Sequence, residues 1–337
     1  MTRTERAPRG AATPCDVPGD HDANSPDVAL VIIAFNEADK IRRTIFSALA
    51  QTGAGQLEVI VVDDGSTDGT DRIVQSIAMH EDRVRLVRLP SNQGRGAARQ
   101  AGVEAASATY LGFVDADIVL PSSWLVMCLQ ALSEHDAVAG TAVPDGDVAY
   151  CYGLFDLQPK LVPQTTAVTG SNALFRRDLF ESVSFDPALR NGEDVKLGED
   201  MVARGFRTHT VPGLVVRHHE TKGYAASLRW LFESGRGASR QLVRDRRIRR
   251  PDVVSTAFGL LALAGGARLV RRKDPRLIVV AAAMPAVASA AHLHTKFHLA
   301  RTPVRSVCAE LVHTPLMTAY LLGRFVGYVD EFRKVTR

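Results

Sequence analysis

The chain has 337 residues, 46% hydrophobic and 23% charged, with a formal net charge of +4. That apolar content supports a sizeable core, and the length suits one large domain plus an appendage. The four cysteines, Cys15, Cys128, Cys151 and Cys308, have neither metal nor redox spacing, so a reducing interior suits them.

Residues 1–26 are rich in Pro, Gly, Asp and Arg and contain no apolar run, which excludes an ordinary signal peptide and predicts a disordered tail. Val28 to Ile33 then reads as a fully apolar strand closed by Ala34-Phe35-Asn36-Glu37. Lys40 to Gln51 has Ile41, Ile45, Ala48 and Leu49 at helical spacing. A second strand, Glu58 to Val62, runs into Asp63-Asp64-Gly65-Ser66-Thr67-Asp68-Gly69-Thr70, and a helix follows over Arg72–Met79. Val84 to Leu89 leads into Asn92-Gln93-Gly94-Arg95-Gly96-Ala97-Ala98-Arg99 and a helix reaching Ala108. The run Tyr110 to Val114 ends in Asp115-Ala116-Asp117. Strands alternating with helices predict an α/β fold with a parallel sheet covered on both faces. The polar clusters at successive strand ends then share one edge, where ligands of open α/β sheets bind.

Each cluster has a local chemistry. Asp115-x-Asp117 at a strand end can hold a hard divalent cation that bridges a diphosphate. Asn36 and Glu37 can cap the helix that follows, or Glu37 can accept a ribose hydroxyl. Ser66, Thr67 and Asp68 form a turn and cap. Gly94 and Gly96 permit close backbone approach, either to a ligand or within a plain turn, and Arg95 offers a phosphate a fixed cation. The absence of a third glycine at the dinucleotide offset argues against a Rossmann dehydrogenase. Ser122 or Ser123 should cap a helix carrying Leu125, Val126, Leu129 and Leu132 inward. Further on come Gly170-Ser171-Asn172, Phe185-Asp186-Pro187, the acidic triplet Gly192-Glu193-Asp194, and its repeat Gly198-Glu199-Asp200. Six residues turn a helix by roughly 600°, so the two acidic pairs point in different directions.

This order of motifs over residues 27–225 resembles the family-2 glycosyltransferases. The resemblance implies a single GT-A-type, Rossmann-like nucleotide-sugar-binding domain with a mixed, mostly parallel sheet. It implies that Ala34, Phe35, Asn36 and Glu37 touch the nucleoside, that Asp64 accepts from the base, and that Gly94, Arg95, Arg99, Asp115 and Ala116 complete the donor site. Asp117, with Asp115 and His218, would hold Mg2+ or Mn2+, an imidazole suiting a carboxylate-rich Mn2+ site. Asp194 would be the general base of an inverting transfer, with Glu193 beside it keeping a carboxylate basic by repulsion. Family members commonly carry Arg where this chain has Asp200. The implied reaction moves a sugar from a nucleoside-diphosphate sugar, UDP-sugar favoured, to a hydroxyl on a glycan, lipid or small molecule. One alternative is a polyprenyl-phosphate acceptor, already anionic and needing no base. The other is a nucleotide-sugar-binding protein without catalysis, against which the acids at 115, 117 and 194 argue.

Residues 226–337 form a basic and apolar helical region. Seven arginines face one acid between Arg236 and Arg250, and apolar stretches follow over Val253–Val270, Leu277–Leu293 and Val307–Val329, the third interrupted by Glu310, His313, Pro315 and Arg324. The first two are at the lower limit for spanning a bilayer, and the basic 271–276 loop argues against a spanning hairpin. They are expected to dock on or dip into the cytoplasmic leaflet of the cell membrane with arginines on anionic headgroups, a soluble cytoplasmic appendage being the alternative. No groove-reading motif accompanies the basic run, so nucleic acid is not an expected partner.

Overall fold

The computed structural model describes residues 27–146, 158–159, 170–220, 223–245, 248, 250–298 and 303–335. The expected tail over 1–26 lies outside these residues, as do Cys15 and Cys151. The first half alternates as read: β1 (Val28–Ala34), α1 (Ile41–Leu49), β2 (Leu57–Asp63), α2 (Thr70–Ala78), β3 (Val84–Arg88), α3 (Arg95–Ala105) and β4 (Tyr110–Asp115). These strands pair in parallel in the order β3-β2-β1-β4. Every residue of β1 is buried. Val28, Leu30 and Ile32 enter one core with α1 and α2, and Ala29, Val31 and Ile33 enter the opposite core with α3. A strand covered on both faces has no polar alternation, which is why its sequence is one continuous apolar run.

The chain continues through β5 (Ile118–Val119), α4 (Trp124–Leu132), β6 (Ala137–Gly146), β7 (Gln158–Pro159), β8 (Asn172–Arg176), a 3-10 turn (Arg177–Glu181), α5 (Glu193–Ala203) and β9 (Thr208–Glu220). Strand β8 is antiparallel to both β4 and β6, β6 is parallel to β9, and β5 closes the edge antiparallel to β9. The sheet is therefore mixed, with the antiparallel pairs confined to its second half. Phe113, Phe175, Phe180 and Phe185 pack edge-on and tilted beneath α3, the closest pair, Phe113 and Phe185, having centroids 5.0 Å apart. This cluster anchors the segment that leads to α5.

Two local expectations change. Ser123 stands at the N-cap of α4, but its hydroxyl lies against Met127 Sδ at 3.8 Å and does not cap. The turn that brings Trp124 N–H to Pro121 O already gives Ser123 helical dihedrals, outside the extended range that a capping side chain needs. Gln51 Oε1 accepts the Leu125 N–H instead, at 3.1 Å. Helix α3 ends at Ala105 rather than Ala108, because Ala106 turns to extended backbone and descends, buried, toward β4.

Four helices complete the described chain: α6 (Tyr224–Asp245), α7 (Arg250–Arg272), α8 (Arg276–Lys296) and α9 (Pro303–Val335), with β10 (Phe297–His298) paired to β7. The interrupted apolar stretch Val307–Val329 lies within one 33-residue helix. Its polar residues are satisfied sideways: Arg324 pairs with Asp252 of α7, and His313 hydrogen-bonds Ser289 of α8 at 2.9 Å. Helices α6 and α9 run parallel in close contact. A β-carbon at Gly323 would lie 1.9 Å from Phe232 O, so only glycine admits this crossing. In α7 and α8 only 22% of the most apolar 18-residue window is buried. Leu260, Leu263, Val279 and Val287 are exposed, and the pair fits a membrane-associating segment.

Candidate active site

The turns after β1 and β2 are stitched to one another. Asn36 has φ +56°, a left-handed conformation that asparagine tolerates better than most residues. Its N–H donates to Ser66 Oγ and its Oδ1 accepts from Thr67 N–H, both at 2.9 Å. Glu37 N–H donates to Thr70 Oγ1 and Ala38 N–H to Asp68 Oδ2. Asp68 also accepts the amide and hydroxyl of Thr70. Burial opposes its ionisation, but these hydrogen bonds hold its carboxyl below the usual carboxylate range. Glu37 pairs with Lys40 at 2.6 Å. Ala34 is buried, whereas Phe35 is 43% exposed at the strand end.

Asp64 is buried, and its two oxygens accept the backbone N–H groups of Gln93 and Gly94 at 2.7 and 2.8 Å. Burial pushes its carboxyl upward against those bonds. Asp64 thus shapes the loop before α3. Gly94 has φ +98°, and a β-carbon at Gly96 would lie 2.2 Å from Asp186 O. Gly96 N–H donates to Leu189 O at 3.1 Å. The two glycines seat the start of α3 against residues 186–190, a packing role that the sequence left open as a turn. Arg95 is half-buried at the first position of α3.

Asp115 closes β4, and Asp117 follows buried Ala116, whose carbonyl accepts from Thr44 Oγ1. The β5–β9 pairing sets Ile118 opposite His218, and His219 N–H donates to Asp117 O at 2.8 Å. His218 Nε2 then lies 2.8 Å from Asp117 Oδ1. The ligand atoms of Asp115, Asp117 and His218 are all within 4.8 Å of one another. Two carboxylates and an imidazole, partly buried, suit Mn2+ or Mg2+ in donor type and spacing.

Arg99, which the resemblance assigns to the donor site, is 2% exposed on the buried face of α3. Its Nη2 donates to Asp115 Oδ1 at 2.7 Å, its Nη1 pairs with Glu193 Oε1, and its Nε donates to Gly170 O at 3.0 Å. Gly170 N–H in turn donates to Asp194 Oδ2 at 3.2 Å. Glu193 is 2% exposed, and its Oε2 is buried without a hydrogen-bond partner. Asp194 in the first turn of α5 is only half-buried, so of the acidic pair it is the member open to a substrate. The repeat pair diverges as expected, with Asp200 held by Lys196 at 2.8 Å. An arginine among Ala97, Ala98 and Gly102 on a buried helix face was the available signal for this bridge. Gly170, in the Gly170-Ser171-Asn172 motif, acts here through its backbone carbonyl and N–H, which side-chain chemistry does not announce.

Residues 29–184 match the family model described as glycosyl transferase family 2. The chain carries a family 2 glycosyltransferase domain. Among curated relatives it is 36% identical over 223 residues to the succinoglycan biosynthesis protein ExoO of Rhizobium meliloti, covering 59% of this chain and 62% of that protein. It is 29% identical over 231 residues to the glycosyltransferase AglE of Haloferax volcanii, covering 66% and 76%. The chain thus spans just under two thirds of ExoO. Among solved structures, the mannosyltransferase PcManGT from Pyrobaculum calidifontis, in complex with GDP-Man and Mn2+, superposes with a TM-score of 0.56 at 23% identity, covering 94% of this chain and 91% of that one. That likeness shows the fold, a GT-A sheet with helices after it.

Proposed function

We propose that this chain is a metal-dependent, inverting glycosyltransferase that moves a sugar from a nucleoside-diphosphate sugar to an acceptor hydroxyl during glycan or glycolipid assembly at the cytoplasmic face of the membrane. The observation that carries it is the convergence, at one end of the sheet, of the Asp115–Asp117–His218 group with the half-exposed carboxylate of Asp194. Asp194 takes the acceptor proton, the acceptor oxygen attacks the anomeric carbon from the face opposite the diphosphate, and the carbon–oxygen bond to the diphosphate breaks. A bound Mg2+ or Mn2+ would offset the charge of the departing diphosphate. The exposure of Phe35 and the partial exposure of Glu37 and Arg95 support their assignment to the nucleotide. Assembly of a polysaccharide or glycan is supported by relatives such as ExoO, whose name describes succinoglycan biosynthesis. Membrane attachment is supported by the exposed apolar faces of α7 and α8.

A donor panel of UDP-, GDP- and dTDP-sugars, with nucleoside diphosphate release measured with and without Mn2+, tests the reading. Metal-dependent release from one donor class is expected, with UDP-sugars favoured. No release from any donor would overturn it.

A further inference from the structure

Arg99 serves no step of that scheme, yet its guanidinium touches both of its ends. Each of its three nitrogens has a partner, and the partners come from three separate elements: Asp115 at the end of β4, Gly170 in the turn before β8, and Glu193 at the start of α5. The bridge reaches the base by two routes. One is the chain itself, since Glu193 precedes Asp194. The other is the Gly170 peptide, whose carbonyl accepts from Arg99 and whose N–H donates to Asp194. There is no slack in this arrangement. A β-carbon at Gly170 would lie 2.6 Å from Arg99 Cζ.

The charges point the same way. One guanidinium faces Asp115 and Glu193 directly and feels Asp194 as well. Glu193 keeps a second oxygen buried and unpartnered, so the acids exceed the donors available to them. Without the arginine, carboxylates on two different elements would repel each other, Glu193 from a buried position.

We propose that Arg99 is a positioning residue. It fixes the separation between the metal-side carboxylate Asp115 and the acceptor-side base Asp194, acting through Glu193 and the peptide of Gly170, and it takes no part in holding the nucleotide. This rests on the glycosyltransferase reading above. A planar fork with three donors in one plane is what such a three-way bridge requires, and the lysine ammonium does not reproduce it.

The test compares parent, Arg99→Lys, Glu193→Gln and Gly170→Ala in the full chain. Turnover is read as nucleoside diphosphate release at saturating donor, and ligand binding is read separately as Mn2+ uptake by EPR and UDP or GDP affinity by calorimetry. Arg99→Lys keeps the charge, and Gly170→Ala displaces the guanidinium without altering any ionisable group. Both are expected to keep nucleotide affinity within about threefold while turnover falls by about 10²-fold, the scale of a small misplacement of reacting groups. Glu193→Gln, which can still accept from Nη1, should lose less. The split between binding and turnover is the decisive readout, because a merely structural arginine would lower melting temperature without it. A tenfold loss of nucleotide affinity with turnover at saturation unchanged would make Arg99 a donor ligand and overturn the proposal. So would unchanged turnover in folded Arg99→Lys, or, should that variant not fold, in Gly170→Ala. Loss of turnover in Asp194→Asn alongside active Arg99→Lys would sink the positioning role and leave the glycosyltransferase reading standing. A parent inert toward every donor would overturn both.

Discussion

At the scale of single residues, the site separates acids that look alike in sequence. Asp194 is half-exposed at the start of α5, Glu193 is buried under Arg99, and Asp200 is turned away onto Lys196. Asp194→Asn is therefore expected to keep donor affinity and lose turnover by about 10²-fold or more, with Glu199→Gln and Asp200→Asn much milder. Steady-state release of nucleoside diphosphate checks this, and near-parental activity of Asp194→Asn would assign the base elsewhere. Asp117→Ala removes the buried carboxylate that His218 meets and should abolish metal-dependent turnover while circular dichroism stays unchanged. Persisting activity under EDTA in that variant would contradict the metal assignment. Short motifs made these residues legible, because a strand end fixes where Asp115 and Asp117 must sit. Arg99 was harder. A charged side chain reads as surface or ligand-facing unless its helix face is known to be buried, and the face of α3 is set by contacts with Val31 and residues 186–190 far along the chain.

At the scale of elements, the parallel half of the sheet was readable because continuous apolar runs alternate with helical spacing. In the second half, periodicity gives no such signal for β6. Strand β6 carries three alanines, two glycines, a proline and an aspartate among its ten residues, a composition of weak strand character that pairs because β8 and β9 flank it. The stitched turns after β1 and β2 give a pH prediction. Because the fold lowers the carboxyl of Asp68, its stabilising contribution is present above the unfolded value, about 3.9, and disappears as pH falls through the lower folded value. The melting temperature of the parent should exceed that of Asp68→Asn at pH 7, with the gap narrowing below about pH 4. A gap of constant size from pH 7 to pH 3 would show that the Asp68 charge is not what joins the two turns.

At the scale of the whole molecule, a catalytic sheet is joined to four helices whose apolar faces divide between themselves and the outside. The apolar stretches located those helices, but what the polar residues of α9 do was not legible, since lateral partners such as Asp252 for Arg324 lie 72 residues away and leave no local trace. Cell fractionation of the full chain is expected to recover it with membranes, and its complete recovery in the soluble fraction at ordinary salt would remove the membrane assignment. The long α6 does more than connect. Its Gly237 faces Asn191, a β-carbon there standing 3.0 Å from the Asn191 amide nitrogen, and Asn191 lies three residues before Asp194. The loop holding Asn191 is also gripped from the other side by Gly94 and Gly96 of α3. With the helices seated in a lipid layer, this contact would tie the turn that leads into Asp194 to the part of the chain that meets the lipid, so that a change at Gly237 should be felt in turnover although it lies outside the sheet.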